Sequence, residues 1–242
     1  MKRIFVVLLA LTSVVAFAAK KPRNYYVKIK TDKGESIVRL YNETPKHRDN
    51  FIKLVKSKTL NKTLFHRVIK GFMIQGGDPD SKSAKPGQML GAGSLPYTIP
   101  AEFDPELFHK KGALAAARDN NPQKASNATQ FYLVQGKTYT NDELNNIETY
   151  QLKGKKIPES ARRIYKTIGG VPSLDQNYTV FGEIVRGIEM VDSIAAVETD
   201  RNDRPVTDIA MELSLLKKKE GKKLEKSLLQ EAFKKNLIMN KR

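Results

Sequence analysis

The chain has 242 residues, 43 of them basic and 26 acidic, for a formal charge of +17; 40% are hydrophobic. That length and apolar fraction suit one or two packed domains and exclude wholesale disorder, a collagenous chain and a polytopic membrane protein. The absence of cysteine removes disulfides, thiol nucleophiles, iron–sulfur clusters and thiolate zinc sites, and leaves His47, His66 and His109 as the only imidazoles.

Lys2 and Arg3 precede the apolar run Ile4 to Ala19, in which Ala16-Phe17-Ala18 fits a signal-peptidase site. At 16 residues the run is short of the roughly 20 that span a bilayer. Residues 1–18 are therefore expected to be a cleaved export signal rather than a retained anchor. Cleavage near Ala18 would deliver a periplasmic or secreted chain. Tyr25 to Thr31 alternates apolar and polar residues as a half-buried strand does, and Gly34 turns it into a partner over Ser36 to Tyr41. Thr44-Pro45 predicts a helix start with a hydroxyl cap, and Phe51, Leu54 and Val55 follow at helical spacing. Further strand-like runs lie at 63–69, 72–75, 112–117, 131–134, 179–185 and 210–215, with a short amphipathic helix over 188–197. Many short strands with two core helices read as an all-β barrel or sandwich.

Two segments fall outside that pattern. Residues 138–171 are polar and mostly helix-compatible, with Ile147, Tyr150, Leu152, Ile164 and Tyr165 available to dock them. Residues 216–242 carry ten Lys/Arg against three acids, with a weak apolar stripe through Leu224, Leu228, Leu229, Phe233, Leu237 and Ile238. Such a tail either lies in water as a solvated helix or meets an anionic surface such as lipid.

The segment Leu64 to Asp78, LFHRVIKGFMIQGGD, resembles the signature of the cyclophilins, the peptidyl-prolyl cis-trans isomerases. Four later pieces follow in that family's order: Ile99–Phe103, Gly112–Arg118, Ala128–Leu133 and Leu174–Glu183. The resemblance runs from about Tyr25 to Leu215 and is interrupted by 138–171. It implies an eight-stranded antiparallel β-barrel capped by two α-helices, here with a helical insertion (138–171) inside a 19–215 domain and a basic helical tail. It also implies an enzyme acting on proline-containing polypeptides, with no cofactor and no metal.

Prolyl isomerisation breaks no σ bond, so a chain without cysteine is not handicapped. The barrier of about 18–20 kcal/mol comes from lost amide resonance. Near the twisted state the prolyl nitrogen regains a lone pair, and a fixed donor aimed at it favours the transition state over the planar ground state. By resemblance that donor is Arg67, whose guanidinium stays charged and presents a planar fork. The resemblance places Phe72, Met73, Tyr132, Leu174 and Tyr178 around an apolar cup for the proline ring. Gln75 and Gln130 are set to hold the substrate backbone and orient Arg67, with Gln75 counted beside Arg67 as catalytic. Ala117 and Arg118 lie in the segment whose backbone pairs with substrate. Without the resemblance, Arg67 reads as a surface arginine, Phe72-Met73 and Phe131-Tyr132 as core, and the glutamines as a solvated face.

His66 is expected to be packed and hydrogen-bonded rather than a general base, because no titrating step is required. Asp78 and Asp80 are expected to serve turn hydrogen bonds around Gly76-Gly77 and Pro79. Ser173 stands where many family members carry a large ring, which implies weaker cyclosporin binding. Two functions remain open: an isomerase for exported proteins, or a cyclophilin-fold chaperone or scaffold in which turnover is incidental. Nucleic acid is not an expected partner, since the chain carries no recognised nucleic-acid signature.

Overall fold

The computed structural model describes residues 23–239. The expected export segment lies outside the described residues. The chain opens with the hairpin β1 (Tyr25–Thr31) and β2 (Gly34–Leu40), then the helix α1 (Pro45–Lys56) and a second hairpin, β3 (Phe65–Ile69) and β4 (Met73–Gly76). A long excursion follows with β5 (Thr98–Ile99), β6 (Ala113–Ala116), β7 (Ser126–Asn127) and β8 (Phe131–Val134). Helices α2 (Asn141–Asn146) and α3 (Glu159–Thr167) precede β9 (Val180–Arg186), α4 (Glu189–Ala195), β10 (Glu212–Leu215) and α5 (Lys218–Met239).

Eight strands form one antiparallel sheet in the order β10-β1-β2-β9-β6-β8-β4-β3, while β5 and β7 pair separately. The segments flanking the two edges meet through Lys62 N–H to Met211 O (2.8 Å), Met211 N–H to Thr63 O (3.0 Å) and Phe65 N–H to Ile209 O (3.0 Å). These bonds curl the sheet toward closure, so little edge is left for another chain to pair with. Inside it Val27, Ile29, Leu40, Ile74, Phe131 and Leu133 are essentially buried, and α1 and α4 pack over them. Each such side chain contributes about 1.5–3 kcal/mol on burial. Phe131 meets Phe51 of α1 edge-on at 5.3 Å. The 2-residue strands β5 and β7 were not foreseen, because so short a pairing leaves no periodicity to read.

The start of α1 differs from expectation. Pro45 occupies the first turn, but the Thr44 hydroxyl makes no capping bond and is buried without a partner. The Glu102 carboxylate caps instead, accepting from Lys46 N and His47 N at 3.0 Å each. A carboxylate there meets two orphan N–H groups and the positive end of the helix dipole together. The partner comes from 55 residues away, beyond the reach of a local motif.

The insertion builds a small core of its own. Thr140 and Glu143 form a capping box at α2, one π-helical turn (Ile147–Gln151) continues it, and α3 returns. Leu144, Ile147, Leu152, Ile157, Ala161 and Tyr165 are buried together. Glu148, almost fully buried, accepts from Arg162 (2.7 Å), Lys156 (2.8 Å) and Ile157 N (3.0 Å). Burial pushes its pKa up, but these three donors outweigh burial and hold it below the ordinary carboxylate value. Tyr150 does not dock; it is 79% exposed.

The basic tail is the 22-residue helix α5, and its stripe is divided between body and solvent. Glu225 accepts from Asn24 (2.8 Å) and Tyr26 (3.2 Å), and Glu231 pairs with Arg186 (2.7 Å). Leu224 and Leu228 are half-buried, whereas Leu229, Phe233 and Leu237 are exposed.

Candidate active site

The sheet has a second apolar face. On β8, Phe131 and Leu133 point inward while Tyr132 and Val134 point outward; on β4, Ile74 points inward and Met73 outward. The outer set, with Ala113, Ala115 and Ala117 of the β6 segment, is joined by Phe72, Leu174 and Tyr178. Alternation thus separates Phe131 from Tyr132 and Ile74 from Met73, whereas Phe72, just ahead of β4, joins Met73 on the outer face.

Arg67 reaches the outer face through an irregularity. Phe65 pairs with Gly76 and Arg67 with Gln75, so His66 is an extra residue in β3. In a regular strand, with His66 paired like its neighbours, Phe65 and Arg67 would share one face. The bulge sends Phe65 into the core and Arg67 outward, beside Gln75. Gly77, at φ +90°, ends β4; a Cβ there would lie 2.4 Å from Thr129 O, so only glycine lets the two chains approach.

Arg67, Phe72, Met73, Gln75, Ala117, Arg118, Tyr132, Leu174 and Tyr178 line one cavity of about 390 Å³. Gln130, placed by resemblance against substrate, stands behind the wall. Its nitrogen donates to Gly91 O (2.8 Å) and Gly93 O (2.7 Å), and its oxygen accepts from Gln75 Nε2 (3.0 Å). Nor do the glutamines hold Arg67. Its Nε faces Asp203 Oδ2 at 3.4 Å, and both side chains remain about two-fifths exposed. Ala117 is also less available than expected: its N–H donates to Gln130 O (3.0 Å) and its carbonyl accepts from Asn127 N (2.8 Å). Among the described residues Arg118 is the member of that pair whose backbone N–H and C=O have no partner. Its guanidinium lies 4.6 Å from the Tyr178 ring centre and donates to Asn177 O (2.8 Å). That stacking fixes the edge of the niche.

The sequence reading missed one side of the cavity, made by Gln88–Gly91 with Asp200, Asn202 and Arg204. Buried Asp78 shapes it: Oδ1 accepts from Asp80 N (2.8 Å), the expected turn bond, while Oδ2 accepts from Gly91 N (2.6 Å) and Gly93 N (3.3 Å). Arg204 donates to Lys85 O (3.1 Å) and Gln88 O (2.6 Å). In sequence these are a polar loop and a charged run, which carry no local sign of convergence.

His66 is packed as expected, but neither ring nitrogen has a hydrogen-bond partner. Burial pushes its pKa down, so it stays neutral. His47 is likewise pushed down by burial, against the raising effect of Glu102, 2.7 Å from Nδ1. Burial raises Tyr132 well above the ordinary phenol value, and its hydroxyl stays protonated.

A curled antiparallel sheet with helices at its ends, and an outer apolar niche beside a guanidinium, define the cyclophilin class. The cyclophilin type peptidyl-prolyl cis-trans isomerase/CLD family model matches residues 26–214. The chain belongs to that family and is a cyclophilin-type peptidyl-prolyl isomerase. Relatives include a provisionally named peptidyl-prolyl cis-trans isomerase of Staphylococcus haemolyticus, 35% identical over 77% of this chain and 88% of that protein. One of Staphylococcus aureus (strain USA300), also provisionally named, is 34% identical over 75% and 86%. The fold is shared with a Cryptosporidium parvum cyclophilin type isomerase, with a TM-score of 0.59, 23% identity, and 81% and 99% of the two chains covered. A second structure of that protein, determined in the presence of the dipeptide ala-pro, superposes with a TM-score of 0.57 at 24% identity.

Proposed function

We propose that Arg67 drives turnover by donating to the pyramidal prolyl nitrogen while Phe72, Met73, Tyr132 and Leu174 grip the ring, and that the clients are exported polypeptides. The observation carrying this reading is that the guanidinium and the apolar wall border the same cavity. Asp203 approaches Nε at 3.4 Å, and the two terminal nitrogens make no hydrogen bond among the described residues, which leaves them for substrate. An Ala-Pro unit, the dipeptide present when the second Cryptosporidium structure was determined, is the minimal substrate piece to fit the niche. Arg118 offers the free backbone groups for the extended flanking chain. Export rests on Lys2, Arg3 and the apolar run behind them. Ser173 replaces, by the family resemblance, a large ring beside the proline pocket, and weaker cyclosporin binding is expected from it.

The test is a proline-peptide isomerisation assay. Arg67→Ala is expected to lower kcat/KM about 100-fold, equivalent to about 2.7 kcal/mol, within reach of one charge-assisted hydrogen bond in a dry site. The same low rate for both proteins would favour the scaffold reading instead.

A second reading concerns α5. Leu229, Phe233 and Leu237 recur every fourth residue on the exposed helix, which also carries Lys222, Lys226 and Lys234. This combination suits an anionic lipid surface, with the apolar side chains inserted and the lysines at the headgroups. Vesicles containing acidic lipid should sediment the full chain in low salt, and truncation at Leu216 should abolish it. Equal sedimentation of both forms would discard the lipid role.

A further inference from the structure

The insertion and the proline niche are joined by an unbroken chain of buried polar contacts. Tyr165 of α3, fully buried, donates its hydroxyl to Asp175 Oδ2 at 2.6 Å. Asp175 Oδ1 accepts from His109 N (2.9 Å) and lies 2.8 Å from His109 Nδ1. His109 Nε2 lies 2.9 Å from the Tyr132 hydroxyl, and the two rings stack with an interplanar angle of 12°. Tyr132 in turn meets Tyr178 edge-on at 6.0 Å.

A carboxylate oxygen accepts, so the proton between Asp175 Oδ1 and His109 Nδ1 sits on Nδ1, and the Tyr165 hydroxyl donates to Oδ2. Nε2 and the Tyr132 hydroxyl share the remaining hydrogen bond, whichever of the two carries its proton. Both tyrosine hydroxyls and the imidazole are thereby held in one orientation, with Asp175 as the common anchor. Gly170 seals the approach of the insertion: a Cβ there would fall 2.2 Å from His109 O and 2.6 Å from Tyr165 Cε1. A hydrogen-bonded network of this kind, in which only Asp175 is partly exposed, holds one arrangement more rigidly than packing alone.

We propose that His109 and Asp175 are positioning residues for the proline niche, and that the insertion 138–171 braces the niche wall through Tyr165 rather than covering the groove. Tyr132 is the member that faces the ring. The remaining three act through it by keeping the aromatic wall from tilting while the proline ring is gripped and the carbonyl before it swings. This rests on the niche assigned above, but it concerns the coupling between Tyr165 and Tyr132 and not the role of Arg67.

A double-mutant cycle on the full chain tests it. Tyr165→Phe, which removes one hydroxyl and keeps the ring, is expected to lower kcat/KM for an Ala-Pro peptide about 3- to 10-fold, through KM more than kcat. In the Tyr132→Phe background the same substitution should change kcat/KM by less than twofold, because the chain has already lost its last link. A role confined to stability would lower Tm equally in both backgrounds without coupling the rates. Binding of the dipeptide Ala-Pro, followed by amide chemical shifts of the protein, should show the same non-additivity. Unchanged peptide binding and rate in Tyr165→Phe, or fully additive effects in the double variant, would overturn the proposal. If Arg67→Ala proved fully active, the Arg67 reading would fall while the binding cycle still reported on the brace.

Discussion

Arg67 stands directly across the β3–β4 pair from Gln75, although Phe65, two residues earlier on the same strand, points into the barrel. The extra residue that makes this geometry is His66, whose ring is buried beside the cavity with both nitrogens unpaired. Backbone irregularity, rather than the imidazole, is thus what His66 supplies to the site.

A substitution that keeps the bulge and removes the orphan nitrogens should therefore spare the enzyme. His66→Leu is expected to leave kcat/KM within threefold and to raise stability by about 1 kcal/mol, since an unsatisfied buried polar group is unfavourable by roughly 1–3 kcal/mol. Urea denaturation and the peptide assay check both halves. A tenfold loss of rate with native stability would instead make the imidazole a participant.

The Arg67–Asp203 pair is long and about two-fifths exposed on each side. Such a pair contributes about 0–1 kcal/mol, so Asp203→Asn should alter kcat/KM by no more than about fivefold. The change should shrink further in high salt, where screening already weakens the pair. Assays at low and high ionic strength measure this directly.

Stability should fall on the acid side of neutrality. Burial depresses the folded-state pKa of His47 and of His66 below the ordinary value of 6.5. Below pH 6.5 the unfolded chain takes up protons that the folded chain refuses, so the unfolded state gains. The stability is complete above that value and is lost as the pH drops toward the folded-state pKa values, by up to about 1.4 kcal/mol per pH unit for each histidine. Denaturation series between pH 7.5 and 5 should show this slope, and His66→Leu should reduce it by one proton. A flat profile would mean that neither ring is shielded.

Much of the architecture was legible in the residues alone. Alternation over Tyr25–Thr31 and the short apolar run Phe131–Val134 marked strands that match the observed ones, and Pro45 marked the start of α1. These features are local: a side chain's face follows from its parity along a strand, and proline's fixed φ from its ring. The cup residues were named from the Leu64–Asp78 motif and its later companions, because the order of residues along a strand carries over within a family.

Contacts set by distant segments could not be read that way. Glu102 caps α1 in place of Thr44, Gln130 supports the Gly91 loop instead of facing the cavity, and Asp203 rather than Gln75 meets Arg67. Arg118 rather than Ala117 carries the free backbone, because only the fold shows which groups are already spent on each other. The sequence by itself determined the eight strands of the main sheet, the family and the apolar and cationic members of the niche. Tertiary structure alone decided which polar atoms face each other, since a hydrogen bond depends on distances of a few tenths of an ångström between residues that may be a hundred positions apart.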